Sequence, residues 1–90
     1  MRFSIITDDL SVSFLSGKPT EDIHHCIFGR GRRKIAEREG FIVGLTHEEH
    51  MRVHENREAQ LYFIKLCQAK YEETHSRQEF IKLIGRNYLG

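Results

Sequence analysis

Residues 41–54 read FIVGLTHEEHMRVH, and the fold turns on how this stretch is parsed. Phe41 to Leu45 is a short apolar run suited to a strand. Thr46-His47-Glu48-Glu49 is a capping box. In such a box the Thr46 hydroxyl caps a helix start, and Glu49, three residues on, reaches back to the Thr46 backbone N–H. A strand therefore runs straight into a helix, predicted over 47 to about 55. His50 and His54 are four apart on that helix and share one face.

Working upstream, residues 23–28 (IHHCIF) form another short extended run. Gly29 and Gly31 open a permissive loop with arginines interleaved, and residues 32–39 read as a short helix stopped by Gly40. Residues 2–6 (RFSII) and 12–15 (VSFL) also read as short strands, separated by Asp8-Asp9. Gly17-Lys18-Pro19-Thr20, with the chain's one proline, is a turn.

Downstream, a second helix is predicted from about 56 to 73. Its residues Ala59, Leu61, Tyr62, Phe63, Ile64, Leu66, Cys67, Ala69 and Tyr71 spread apolar surface around much of the circumference. Such a helix is expected to be buried on several sides or covered by a partner. Ser76-Arg77-Gln78-Glu79 is a second capping box, opening a short helix that Gly85 ends. Strands first and helices last predicts an α+β class. The chain reads as one domain over 1–90, with a finger at about 12–55 and a helical part at about 56–90.

Ninety residues make a thin core, since a chain this short buries only roughly 60–65% of its unfolded surface. With 39% hydrophobic and 30% charged residues the composition is globular rather than disordered. The net charge of +1 offers no global attraction to nucleic acid. The local distribution does more: Arg30, Arg32, Arg33, Lys34 and Arg38 lie within nine residues, offset later by Glu48, Glu49, Glu55 and Glu58. Cys26 and Cys67 form no CxxC and read as reduced, small apolar side chains. Without a signal-peptide pattern or an apolar run of about 18 residues, the expectation is a soluble cytoplasmic protein that does not enter membranes.

The chemistry lies in the histidines. His24 and His25 are adjacent in a strand and point to opposite faces, so one suits a metal while the other faces a substrate. His50 and His54 present two imidazoles from one helix face, and neutral imidazole nitrogens bind zinc at about 2.0–2.1 Å. With one histidine from the strand they make three protein ligands, which leaves positions open for water or phosphate. A His47–His50–His54 trio is also possible on the helix, but leaves His24-His25 without a role. His50-Met51-Arg52-Val53-His54 lacks the glutamate of an HExxH motif.

Ile23-His24-His25-Cys26-Ile27-Phe28-Gly29, then Arg33-Lys34, Phe41 to Leu45, His50 to His54 and the tail Glu79 to Leu89 resemble small HNH proteins encoded by phages and prophages of Gram-positive bacteria. The double histidine with HxxxH is shared with bacteriocin DNases of the colicin kind. The resemblance implies a ββα-metal (HNH, treble-clef-like) finger followed by C-terminal helices. It implies metal ligands at His24, His50 and His54, a general base at His25, a supporting carboxylate at Asp22 beside the first ligand, and DNA as substrate. One divalent metal ion is implied, whether magnesium, manganese, nickel or zinc. Many relatives carry two CxxC pairs around a structural zinc. Here those positions hold Ser13-Phe14-Leu15-Ser16 and Thr46-His47-Glu48-Glu49, so no structural zinc is expected and the helix 56–73 is the candidate brace. No asparagine lies between His25 and His50 to orient the base.

The expected function is metal-dependent phosphodiester hydrolysis by an HNH endonuclease. Histidine as a residue type titrates at about pH 6.5, which suits His25 to take a proton from water. Arg30, Arg32, Arg33 and Lys34 would bind phosphate oxygens and position DNA without reading its sequence. The alternative is a catalytically weak HNH scaffold that binds DNA or a protein, for example an inhibitor of a host enzyme. In either case the helix 56–73 is the candidate surface for a homodimer or for a phage or host protein.

Overall fold

The sequence pairs two four-residue strands, β1 (Asp22–His25) and β2 (Ile42–Leu45), in antiparallel register. Asp22 stands opposite Leu45, Ile23 opposite Gly44, His24 opposite Val43 and His25 opposite Ile42. The computed structural model describes residues 2–90. Helix α1 (Arg32–Glu39) connects the strands, and α2 (His47–Glu55), α3 (Arg57–Tyr71) and α4 (Arg77–Ile84) follow them. The α+β class read from the sequence is the class observed. Among the described residues no helix is long and apolar enough to cross a membrane.

All four β2 residues are buried, so the sheet is covered on both faces. Gly44 makes one of those covers possible. A Cβ there would collide with the Thr20 hydroxyl and stand 2.8 Å from the Leu10 carbonyl oxygen. The segment 10–20 crosses the sheet at that point, where the Phe14 N–H donates to the Gly44 carbonyl at 2.9 Å. At the end of α1, Gly40 takes a left-handed φ of 78°, and its N–H bonds the Ala36 carbonyl. A Cβ on Gly40 would come within 2.6 Å of the Phe3 ring, so the glycine also lets the N-terminal segment pack against α1.

Both capping boxes form. The Thr46 hydroxyl accepts from the Glu49 N–H and the Thr46 N–H donates to the Glu49 carboxylate at 2.8 Å. Ser76 and Glu79 repeat the arrangement at the start of α4. Asn56 caps α3 by accepting from the Ala59 N–H. The core gathers Phe41, Phe63, Phe80, Ile27, Ile42 and Leu45 with both cysteines, which are buried and free. The Phe41 ring meets Tyr71 and Phe80 at 5.9 and 6.3 Å between centroids.

Two expectations are corrected. Residues 2–6 are not a strand, because the Ser4 hydroxyl accepts from the Ile6 and Thr7 N–H groups and bends the chain there. Residues 12–15 make a turn with a single bridge, Val12 to Pro19, because the Ser13 hydroxyl takes the Leu15 and Ser16 N–H groups. Such local bonds compete directly with a sheet ladder. Helix α3 buries Phe63, Ile64, Cys67, Gln68 and Tyr71 along one face, while Tyr62 and Ala69 are exposed. Buried Gln68 fastens the tail to this helix, donating to Asn87 and accepting from the Tyr88 N–H.

The segment 11–20 is held both by Phe14, whose ring centroid lies 6.0 Å from that of Phe63 on α3, and by a polar brace. The Ser13 hydroxyl is buried and donates to Glu49 Oε1 at 2.6 Å, and the same oxygen accepts from the Thr46 N–H. Ser13, Ser16, Thr46 and Glu49 thus share one hydrogen-bond network. They are the four positions at which the resemblance would place zinc-binding cysteines. Burial pushes the Glu49 carboxyl up, but bonds from Ser13, the Thr46 N–H and the Ser16 and Thr46 hydroxyls outweigh it and bring the pKa down to about 2.

A carboxylate depressed in the folded state stabilises the fold above its usual value near 4.5, and that stabilisation is lost as pH falls toward 2. Glu49→Gln should therefore cost about 1–3 kcal/mol at pH 7, and the gap to the wild type should narrow by pH 3. Urea denaturation at the two pH values checks this; equal gaps at both would show that the Glu49 charge is not what holds the segment.

Candidate active site

Strand β1 alternates its side chains, and this sends its two histidines apart. His24 is 1% exposed and turns inward under α2. Its ring centroid lies 5.3 Å from His50, 6.2 Å from His54 and 5.1 Å from Phe63, each approached edge-on. His50 and His54 share the face of α2 that their spacing predicts, with centroids 4.7 Å apart. Three imidazoles thus meet from one strand and one helix, backed by a phenylalanine of α3.

His24 Nε2 is buried and has no hydrogen-bond partner among the described residues. A buried polar atom left in this state costs free energy, so it is rare in a folded protein. Burial, then the nearby His50, His54 and His25, pushes the His24 pKa down to about 4. The ring is therefore neutral near pH 7, with a lone pair on one of its two nitrogens. As they stand, no three His, Cys, Asp or Glu side chains among the described residues are grouped to hold a metal ion.

Asp22 does not contact His24, the ligand beside which the resemblance placed it. Its Oδ2 bonds His50 Nδ1 at 3.0 Å and His47 Nδ1 at 2.9 Å. Those two bonds hold the Asp22 carboxyl below its ordinary range. They also fix the His50 ring so that its Nε2 faces away from the carboxylate. His47 is exposed and joins the site only through Asp22.

His25 leaves β1 on the other face. Its Nε2 lies 2.6 Å from Glu37 Oε2 on α1, and Arg2 grips the same carboxylate. Nothing in the spacing of the sequence points to Glu37 or Arg2, because both reach His25 only through tertiary packing. His24, His25, His50 and His54 nevertheless line a single cleft of about 410 Å³, together with Ile23, Phe28, Gly29 and Arg33.

The basic residues divide. Arg33 lines the cleft. Arg32 turns away and donates to the Ile84 carbonyl at 2.8 Å, tying α1 to the end of α4. Lys34 borders a separate groove with Gly31, Arg33, Glu37 and Arg38, and Arg30 is exposed in the loop before α1.

If the unpaired nitrogen of His24 is a stability cost, an apolar residue of similar size should relieve it. His24→Leu should stabilise the metal-free protein by about 1–2 kcal/mol, the scale of an unmade buried hydrogen bond. Urea denaturation in EDTA measures this, and a destabilised variant would mean that the imidazole contributes more through packing than its bare nitrogen costs.

No protein-family model, curated protein or solved structure matches this chain.

Proposed function

We propose that this protein is a metal-dependent DNA endonuclease of the HNH type, in which β1, β2 and α2 form a ββα-metal finger. The observation that carries the reading is His24 Nε2, buried, neutral and unpartnered beside two further imidazoles.

The donor chemistry of these residues suits a divalent ion, although their rings as they stand are not grouped around one. A neutral imidazole nitrogen without a hydrogen bond is the form a metal ligand needs. His24, His50 and His54 would hold the ion, with Asp22 steadying His50 from behind. The last torsion of a histidine side chain is soft, so the direction of each ring nitrogen is adjustable. When bound, the ion would offset negative charge on the scissile phosphate and leaving oxygen.

The remaining chemistry belongs to the chain. His25 lines the same cleft and accepts the proton of the attacking water. Arg33, in the same wall, donates to phosphate oxygens with a planar fork. Contacts of this kind hold the backbone without reading bases, so cleavage should show little sequence preference and strong salt sensitivity.

The second reading is a scaffold that binds DNA or a protein without cutting. It is favoured by the edge-on meeting of the three imidazoles, which as they stand form no group fit for an ion.

Plasmid nicking by untagged protein separates the two. Assays at low salt with EDTA, magnesium, manganese, nickel or zinc should show metal-dependent nicking. His25→Ala should lower it by about 10²–10⁴-fold, the usual worth of a general base, while DNA binding persists. Absence of nicking with every metal, together with equal DNA binding by both forms, would reject the endonuclease and support the scaffold.

A further inference from the structure

We propose that Glu37, clamped by Arg2, is the positioning residue of His25, setting which ring nitrogen faces the cleft. The proposal rests on the reading of His25 as the proton acceptor.

Three observations carry it. The first is the short contact between His25 Nε2 and Glu37 Oε2, at 2.6 Å, in a side chain only 11% exposed. Hydrogen bonds to an ionised carboxylate are shorter and stronger than neutral ones. The second is that Glu37 cannot swing freely. Arg2 Nε donates to its Oε1 at 3.1 Å and Arg2 Nη2 pairs with its Oε2 at 3.0 Å. A two-pronged grip of this kind fixes the plane of a carboxylate as well as its position.

The third is that Arg2 is delivered by packing. The next residue, Phe3, lies over Gly40, where only a glycine leaves room, and the Ile5 N–H bonds the Gly40 carbonyl at 3.0 Å. The N-terminal segment is thereby fastened to the end of the helix that carries Glu37. An isolated surface ion pair contributes little. This one is part of a chain of contacts ending on a half-buried imidazole at the cleft.

The chemical consequence follows from the geometry. Facing a carboxylate, Nε2 carries a proton, which leaves Nδ1 with the lone pair. When Nδ1 accepts a proton from water, the ring becomes a cation directly beside the Glu37 charge. An aligned carboxylate holds the ring in the reactive orientation and stabilises that cation, without touching substrate.

The test uses full-length protein with Glu37→Ala and Arg2→Ala. Nicking kinetics are measured alongside DNA affinity in EDTA and NMR of ¹⁵N-histidine-labelled protein without metal. Glu37→Ala should lower kcat about 10–100-fold, as loss of a histidine's outer partner typically does. KM and DNA affinity should stay within about twofold of the wild type, since a positioning role leaves binding alone. Arg2→Ala should lower kcat in the same direction by less. The wild type should show a downfield, slowly exchanging His25 Nε2–H signal that Glu37→Ala abolishes.

An unchanged kcat, a loss confined to KM, or a signal that survives Glu37→Ala would overturn the proposal. Urea curves confirm that each variant is folded, as expected for a partly exposed glutamate. Should the wild type cleave nothing, the endonuclease reading fails on its own. The NMR signal then decides the positioning claim: lost in the variant it is upheld, absent from the wild type it is overturned.

Discussion

Glu49 stands in the first turn of α2, and its carboxylate closes that helix onto two other parts of the chain. It takes the Thr46 N–H, which fixes where β2 stops and α2 begins, and it takes the Ser13 hydroxyl, which draws in the segment that crosses β2 at Gly44. The face of α2 that carries His50 and His54 is aimed by this start, because one residue of slip would rotate each histidine by about 100° around the axis. A small chain lacks the buried area to hold such a helix by packing alone. The network of Ser13, Ser16, Thr46 and Glu49 does with hydrogen bonds what a structural metal does in other small domains. Its strength depends on Glu49 staying ionised, which its low pKa ensures across the neutral range.

The cost of this arrangement is concentrated at His24. A valine or leucine at that position would satisfy the apolar wall formed with Phe63 and Val43. The chain instead buries an imidazole whose Nε2 finds no partner. Violations of local consistency of this kind cluster at functional sites. Elsewhere polar groups are engaged: Asp22 serves His47 and His50, Glu37 serves His25 and Arg2, and Gln68 serves the tail. The contrast between the buried bare nitrogen and these pairs gives the cleft its chemical interest.

What the sequence disclosed follows interaction range. The two capping boxes, the stop at Gly40 and the i, i+4 pair of His50 and His54 are local, and each was legible because its physics spans no more than four residues. That one strand histidine meets this pair follows from the strand running into the helix; that it is His24 was implied by the resemblance alone. The N-terminal segment was misread because Ser4 and Ser13 divert the backbone with their own hydroxyls, which hydrophobic alternation does not register. The resemblance implies Asp22 beside the first ligand, whereas α2 brings His47 and His50 to it. Glu37 and Arg2, separated by 35 residues, carry no mutual signal in the sequence.

Strand β1 shows how little chain is needed to set up two different histidines. His24 and His25 are neighbours, yet alternation puts one against α2 and the other against α1. On the first side the partners are imidazoles and a phenyl ring, so desolvation dominates and the ring is held neutral. On the second side the partner is the Glu37 carboxylate, 2.6 Å from the ring nitrogen. A longer loop between two separate residues would have to hold each one independently. Here the pleat of a four-residue strand does so, with a helix on either side supplying the environment, and both rings open onto the same cleft.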